Sequence, residues 1–159
     1  MNKKIKVFWG KKDYIKGPWR INKSPTSRFK AKVKKFNHDN VQVYINNNVP
    51  KKFFQLIKKF KLKSTVLALN KMTPGQILPF HTDKYLTYCK RNKIKNKNKI
   101  KRIIVFLEDS QPGHQLWIKN KFCTGSAGSY FSWLGQTKHM AANLGEKNRY
   151  TLQITGLIN

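Results

Sequence analysis

In the second half of the chain, short segments rich in apolar residues are divided by Gly or Pro at short, regular intervals. Arg102 to Leu107, Gln115 to Ile118, Tyr130 to Leu134, His139 to Asn143 and Tyr150 to Ile154 therefore read as strands. Pro112-Gly113, Gly125 to Gly128, Gly135 and Gly145 separate them. Upstream, Val41 to Ile45, Thr65 to Leu69 and Ile77 to Thr82 carry the same signal, with breaks at Asn46-Asn47-Asn48 and Pro74-Gly75. One segment has a helical period instead. After Pro50, a residue suited to a helix start, Phe53, Phe54, Ile57 and Phe60 form a stripe at spacings of three and four, with lysines opposite. From Lys84 to Lys101 Lys and Asn dominate, which predicts a solvated loop with one helical turn near Tyr85. The first forty residues, through Trp9, Trp19 and Phe36, show no periodicity.

Many short strands divided by Gly and Pro, without alternating helices, predict a mainly β chain with some α. The expected architecture is a jelly-roll of about eight core strands preceded by a helical and irregular N-terminal part. A chain of 159 residues has material for one core, so a single domain is expected. Residues 1–63 would form a supporting segment with one amphipathic helix, and 64–159 the jelly-roll core.

Charge changes the picture less than its size suggests. The formal net charge is +28, from 34 basic and 6 acidic residues, which invites nucleic acid as a partner through phosphate neutralisation. Only five of the basic residues are arginine, the side chain best suited to bidentate phosphate or base recognition, and Lys, Asn and Ile are abundant together. Nucleotide bias in a genome produces that combination without selection for binding. Cys89 and Cys123 form no short-spaced metal pair and no disulfide framework, so a reducing, cytoplasmic setting is expected. No apolar stretch has the length of a signal peptide or a membrane span, and no membrane partner is expected.

Acid scarcity makes each carboxylate count. Asp83 stands two residues after His81, and in an extended strand residues two apart point the same way, so both can face a barrel interior. His139 lies on a strand that a jelly-roll can return against this pair. Two imidazoles and one carboxylate suit Fe(II) and leave three coordination positions open. Ten residues later, Arg149-Tyr150-Thr151-Leu152-Gln153-Ile154 alternates polar and apolar. One orientation gives Arg149 and Thr151 to solvent. The other turns them into the barrel, where a guanidinium and a hydroxyl could hold a carboxylate, and leaves the apolar face to be covered by the N-terminal helix.

The order His-x-Asp, distal His, then Arg ten residues on resembles the core motif of the Fe(II)/2-oxoglutarate-dependent dioxygenases. The run from Pro74 to His81 is similar to the approach to the first ligand in prolyl-hydroxylase-like members, and His139 to Gly145 with Arg149 to Gly156 resembles short members encoded by bacterial viruses (bacteriophage). Arg149 with Pro-Phe-His-Thr is nearer the aspartyl/asparaginyl β-hydroxylases, many of which lack an acid equivalent to Asp83; prolyl-hydroxylase-like members often have tyrosine at the place of Leu78 and lysine at that of Arg149. The resemblance covers roughly Asn70 to Gly156. It implies a double-stranded β-helix of cupin-like type, iron held by His81, Asp83 and His139, and the distal carboxylate of 2-oxoglutarate held by Arg149 and Thr151. It also implies a hydroxylase that consumes dioxygen and releases succinate and CO2, with a protein or peptide side chain as favoured substrate.

Two rivals use the charge. One is a nucleic-acid-modifying oxygenase that dealkylates a base, and the other a noncatalytic basic jelly-roll that binds nucleic acid by charge and stacking. Among the remaining candidates, His114 reads as a turn histidine, Arg102 as a solvated arginine at a strand end, and Trp117, Phe131 and Trp133 as core aromatics. Asn143 shares a strand face with His139 and is a candidate for orienting a ligand.

Overall fold

The computed structural model describes residues 3–7, 10, 19–21 and 43–158. Eleven strands are found there: β1 (Lys3–Lys4), β2 (Arg20–Ile21), β3 (Tyr44–Asn46), β4 (Lys63–Met72), β5 (Ile77–His81), β6 (Ile100–Phe106), β7 (His114–Ile118), β8 (Lys121–Phe122), β9 (Ser129–Leu134), β10 (His139–Asn143) and β11 (Arg149–Leu157). Two short helices join them, α1 (Gln55–Phe60) and α2 (Leu86–Arg91). A seven-stranded sheet runs β1-β9-β6-β11-β4-β3-β2, and a four-stranded sheet runs β5-β10-β7-β8. All pairings are antiparallel. This is the expected jelly-roll.

The central strands of the large sheet are buried on both faces, which is why Ile103-Ile104-Val105-Phe106 is a continuous apolar run. Ile103 and Val105 of β6, with Leu152 and Ile154 of β11, face outward into a cluster completed by Phe53 and by Leu56, Ile57 and Phe60. Phe53 is 2% exposed, and burying such a ring stabilises the fold by roughly 1.5–3 kcal/mol. Alternate residues turn the other way. Ile104 and Phe106 meet Leu116 and Ala141 of the small sheet in a second cluster between the layers.

Several boundaries differ from expectation for identifiable reasons. The amphipathic segment begins as a 3-10 turn at Lys51–Phe53, so Phe54 leaves the buried stripe and is 48% exposed. Strand β4 continues through Asn70 and Lys71, since Asn70 faces the interior cavity and the Lys71 ammonium lies 4.6 Å from the Tyr44 ring centroid. The loop after Asp83 carries α2, and Tyr85 is buried rather than solvated. β1 pairs with β9 and places Ile5 in the outer cluster, so the basic N-terminus contributes to the sheet. Trp9, Phe36, Val41 and Gln42 lie outside the described residues.

Gly128 holds β1 in place. Its φ is +83°, its carbonyl accepts from the Ile5 amide at 2.8 Å, and a Cβ there would sit 1.9 Å from the Ile5 carbonyl oxygen. Gly128→Ala is expected to destabilise the chain by about 1–3 kcal/mol and to expose the Ile5 amide. Denaturant unfolding with amide hydrogen exchange measures both, and unchanged protection at Ile5 would refute this account.

Candidate metal centre

A bulge positions the first ligand. β10 pairs His139 with His81 but Ala141 with Leu78, so β5 holds one extra residue between these points, where Pro79 needs no amide partner. Leu78 and His81 consequently both line one cavity, although regular alternation would send residues three apart to opposite faces. The strand ends at His81, one residue earlier than expected. Asp83 lies on the following loop, with Thr82 between them exposed.

The cavity, about 180 Å³, lies between the two sheets. His81, Asp83 and His139 offer ligand atoms all within 4.8 Å of one another, an arrangement that could hold a metal ion. His81 Nε2 is 4.0 Å from Asp83 Oδ1, and His139 Nε2 is 3.8 Å from Asp83 Oδ2. Each imidazole is fixed by its own strand, with Nδ1 2.6 Å from the Pro79 carbonyl in His81 and 2.8 Å from the Thr137 carbonyl in His139. A carbonyl can only accept, so Nδ1 carries the proton and the Nε2 lone pair faces the site. Burial first, then the neighbouring His81, pushes His139 down to about 4, so it is neutral and ready to ligate near neutral pH. For Asp83, burial works upward, but Arg102 and the two imidazoles outweigh it and hold the carboxyl below its usual range. The donor set, neutral nitrogens with an ionised oxygen, fits a divalent transition metal.

The same cavity receives Arg149 and Thr151 from β11, 7% and 2% exposed. The inward orientation is the one present, and the outer face of β11 is covered by Phe53 and α1 as that orientation requires. Arg149 forms no ion pair among the described residues. Its Nη1 reaches only Met72 Sδ at 3.6 Å, its guanidinium lies 5.5 Å from the Phe106 ring centroid, and its Nη2 is buried without a partner. Burial draws its pKa down to about 10, leaving it charged at neutral pH. A desolvated cation with an unused donor has the chemistry to hold an anion.

Arg102 and Asn143 sort differently from expectation, while Trp133 is in the core as expected and also lines the cavity. Arg102 is 8% exposed, not solvated, and donates from Nη2 to Asp83 Oδ2 at 2.7 Å. Its parity with Ile104 and Phe106 on the inner face of β6 was the available signal. Trp133 lines the cavity with its ring centroid 4.5 Å from that of His139, whereas Trp117 packs on Phe122 away from it. Asn143 orients no ligand: its amide donates to the Met72 and Lys147 carbonyls, and its Oδ1 accepts from Gly145. His114 is likewise absorbed by the Lys147 carbonyl and the Gln111 amide.

No protein-family model matches the chain. A search of curated proteins finds no match either. Solved structures do match in fold. A putative sugar phosphate isomerase from Acidithiobacillus ferrooxidans superposes with a TM-score of 0.51 at 12% identity, over 95% of this chain and 75% of that one. A predicted oxalate decarboxylase from Thermotoga maritima gives 0.47 at 15% identity, over 74% of this chain and 82% of that one. The cupin domain of Schizosaccharomyces pombe Cnp3 gives 0.46 at 8% identity, covering 73% and 65%. Among the described residues no helix is long and apolar enough to cross a membrane. The chain has a jelly-roll fold of the double-stranded β-helix type, two antiparallel sheets packed face to face, with a His-Asp-His group in its interior that could hold a metal ion.

Proposed function

We propose that the chain is an Fe(II)- and 2-oxoglutarate-dependent dioxygenase that hydroxylates a protein or peptide side chain. The observation that carries this reading is Arg149: a buried guanidinium with an unused donor and no acid paired to it among the described residues, on the wall of the cavity that also holds His81, Asp83 and His139. Three protein ligands leave open positions for a keto-acid and dioxygen, and a dicarboxylate needs a second anchor at its far end. A ferrous ion, when bound with 2-oxoglutarate, supplies oxidative decarboxylation to succinate and CO2 and the insertion of oxygen into a C–H bond.

The chain's own residues supply the rest. Arg149 and Thr151 would bind the distal carboxylate through charge-assisted hydrogen bonds, strengthened by the burial of the guanidinium. Ile104, Leu116 and Ala141 make the wall apolar and exclude solvent from the reacting centre. The carbonyls of Pro79 and Thr137 keep the Nδ1 protons in place and the two Nε2 atoms aimed inward.

Anaerobic calorimetry is expected to show 2-oxoglutarate binding with Fe(II) present and none without it; aerobically the same mixture should form succinate. Equal heats with and without metal would remove the reading. Mass spectrometry then separates substrate classes: peptides should gain one oxygen, while alkylated oligonucleotides losing their alkyl groups would move the substrate to nucleic acid.

A further inference from the structure

We propose that Arg102 is a positioning residue for the metal centre: by holding Asp83 Oδ2 it confines this carboxylate to ligation through Oδ1 and keeps a coordination position open. The inference rests on the metal and cosubstrate reading above. Both carboxylate oxygens face imidazoles, Oδ1 towards His81 and Oδ2 towards His139, so the carboxylate by itself is placed to chelate with both. Chelation would use two positions, and the two histidines two more. In a six-coordinate site that leaves two, which a keto-acid would fill, with none for dioxygen. Arg102 removes this outcome. Its Nη2 lies 2.7 Å from Oδ2, and the side chains of the pair are 10% and 20% exposed, so water competes weakly for the contact.

The guanidinium is itself held. It lies 5.3 Å from the centroid of the buried Tyr85 ring, which the loop after Asp83 brings over it. One fork of the guanidinium is thus committed to Asp83 while its Nε is buried with no partner. The placement is electrostatically adverse to metal affinity, since it sets a fixed cation against the one carboxylate ligand. A residue that weakens metal attraction while ordering the ligand trades affinity for vacancy, and that trade has a distinct signature.

The test uses the full chain under anaerobic conditions, with Co(II) alone and then 2-oxoglutarate as probes, and nitric oxide on the Fe(II) protein with 2-oxoglutarate bound as the stand-in for dioxygen. Arg102→Met should bind Co(II) at least as tightly as the wild type and change the visible absorption of the cobalt site. Its 2-oxoglutarate affinity on the Co(II) protein should be kept, whereas nitric oxide affinity on the Fe(II) protein with 2-oxoglutarate bound should fall on the order of tenfold, the lower end of what outer contacts at metal sites are worth. Arg102→Lys, which keeps a cationic donor, should restore the wild-type absorption and most of the nitric oxide affinity. Should Arg102→Met fail to fold, Arg102→Gln carries the same expected split. A loss of Co(II) affinity, or no change in either nitric oxide affinity or absorption, overturns the proposal. Wild-type protein that binds Co(II) but never 2-oxoglutarate sinks the oxygenase reading, and the absorption of the variants alone then decides the role of Arg102. Wild-type protein that takes up no Co(II) sinks both.

Discussion

Arg149→Met is expected to make the metal-free chain more stable, by about 1–3 kcal/mol, while abolishing measurable affinity for 2-oxoglutarate. The stability gain follows from burial without compensation. The guanidinium is desolvated, reaches no carboxylate among the described residues, and leaves Nη2 unpartnered. Methionine keeps the apolar part of its contacts with Met72 and Phe106 and removes the charge. Affinity is lost for the complementary reason, because the far carboxylate of the cosubstrate would meet a thioether. Urea unfolding and anaerobic titration measure the two halves separately. A variant less stable than the wild type would mean that Arg149 holds the fold together, and its role in holding an anion would have to be abandoned.

Removing metal ligands should have unequal structural consequences. Asp83→Ala and His139→Ala are each expected to weaken Mn(II) binding more than about 100-fold, as loss of one of three ligands should exceed what outer contacts cost. Only Asp83→Ala leaves Arg102 buried without its acid, so it should also destabilise the chain by about 3 kcal/mol. His139→Ala keeps that ion pair and loses mainly the contact with the Trp133 ring, at a cost of about 1–2 kcal/mol. The double variant Asp83→Ala/Arg102→Met should regain most of the stability without regaining metal. Equal destabilisation by the two single variants would show that the Asp83 to Arg102 pair contributes little.

What could be seen in the sequence depended on whether the signal was local. The two-residue spacing of His81 and Asp83, the alternation around His139, and the alternation from Arg149 to Ile154 are properties of short segments, and the structure brings these residues to one cavity. The inward turn of Arg149 was undecidable locally; it follows once Leu152 and Ile154 are claimed by Phe53 and α1 on the other face. Arg102 was misread because its partner lies nineteen positions away across a polar loop, and an arginine opening a strand ordinarily reaches solvent. β1 was unreadable for another reason. Lys3 and Lys4 join the sheet through backbone pairing with Ser129 and Tyr130, which leaves no side-chain signature beyond Ile5.

The extra residue in β5 makes the centre depend on a local irregularity of the backbone as well as on side-chain identity. Leu78 and His81 reach the same cavity only because the bulge resets the alternation between them. A deletion of Phe80, itself 43% exposed, would leave every ligand in the sequence and regularise the strand. Leu78 and His81 would then stand two apart, so regular alternation alone would keep both in the cavity. Inheritance of this site across diverging sequences therefore tolerates a change of length here. A descendant could lose a single codon between Leu78 and His81 and retain the centre, whereas at the present length the centre fails if the bulge is lost.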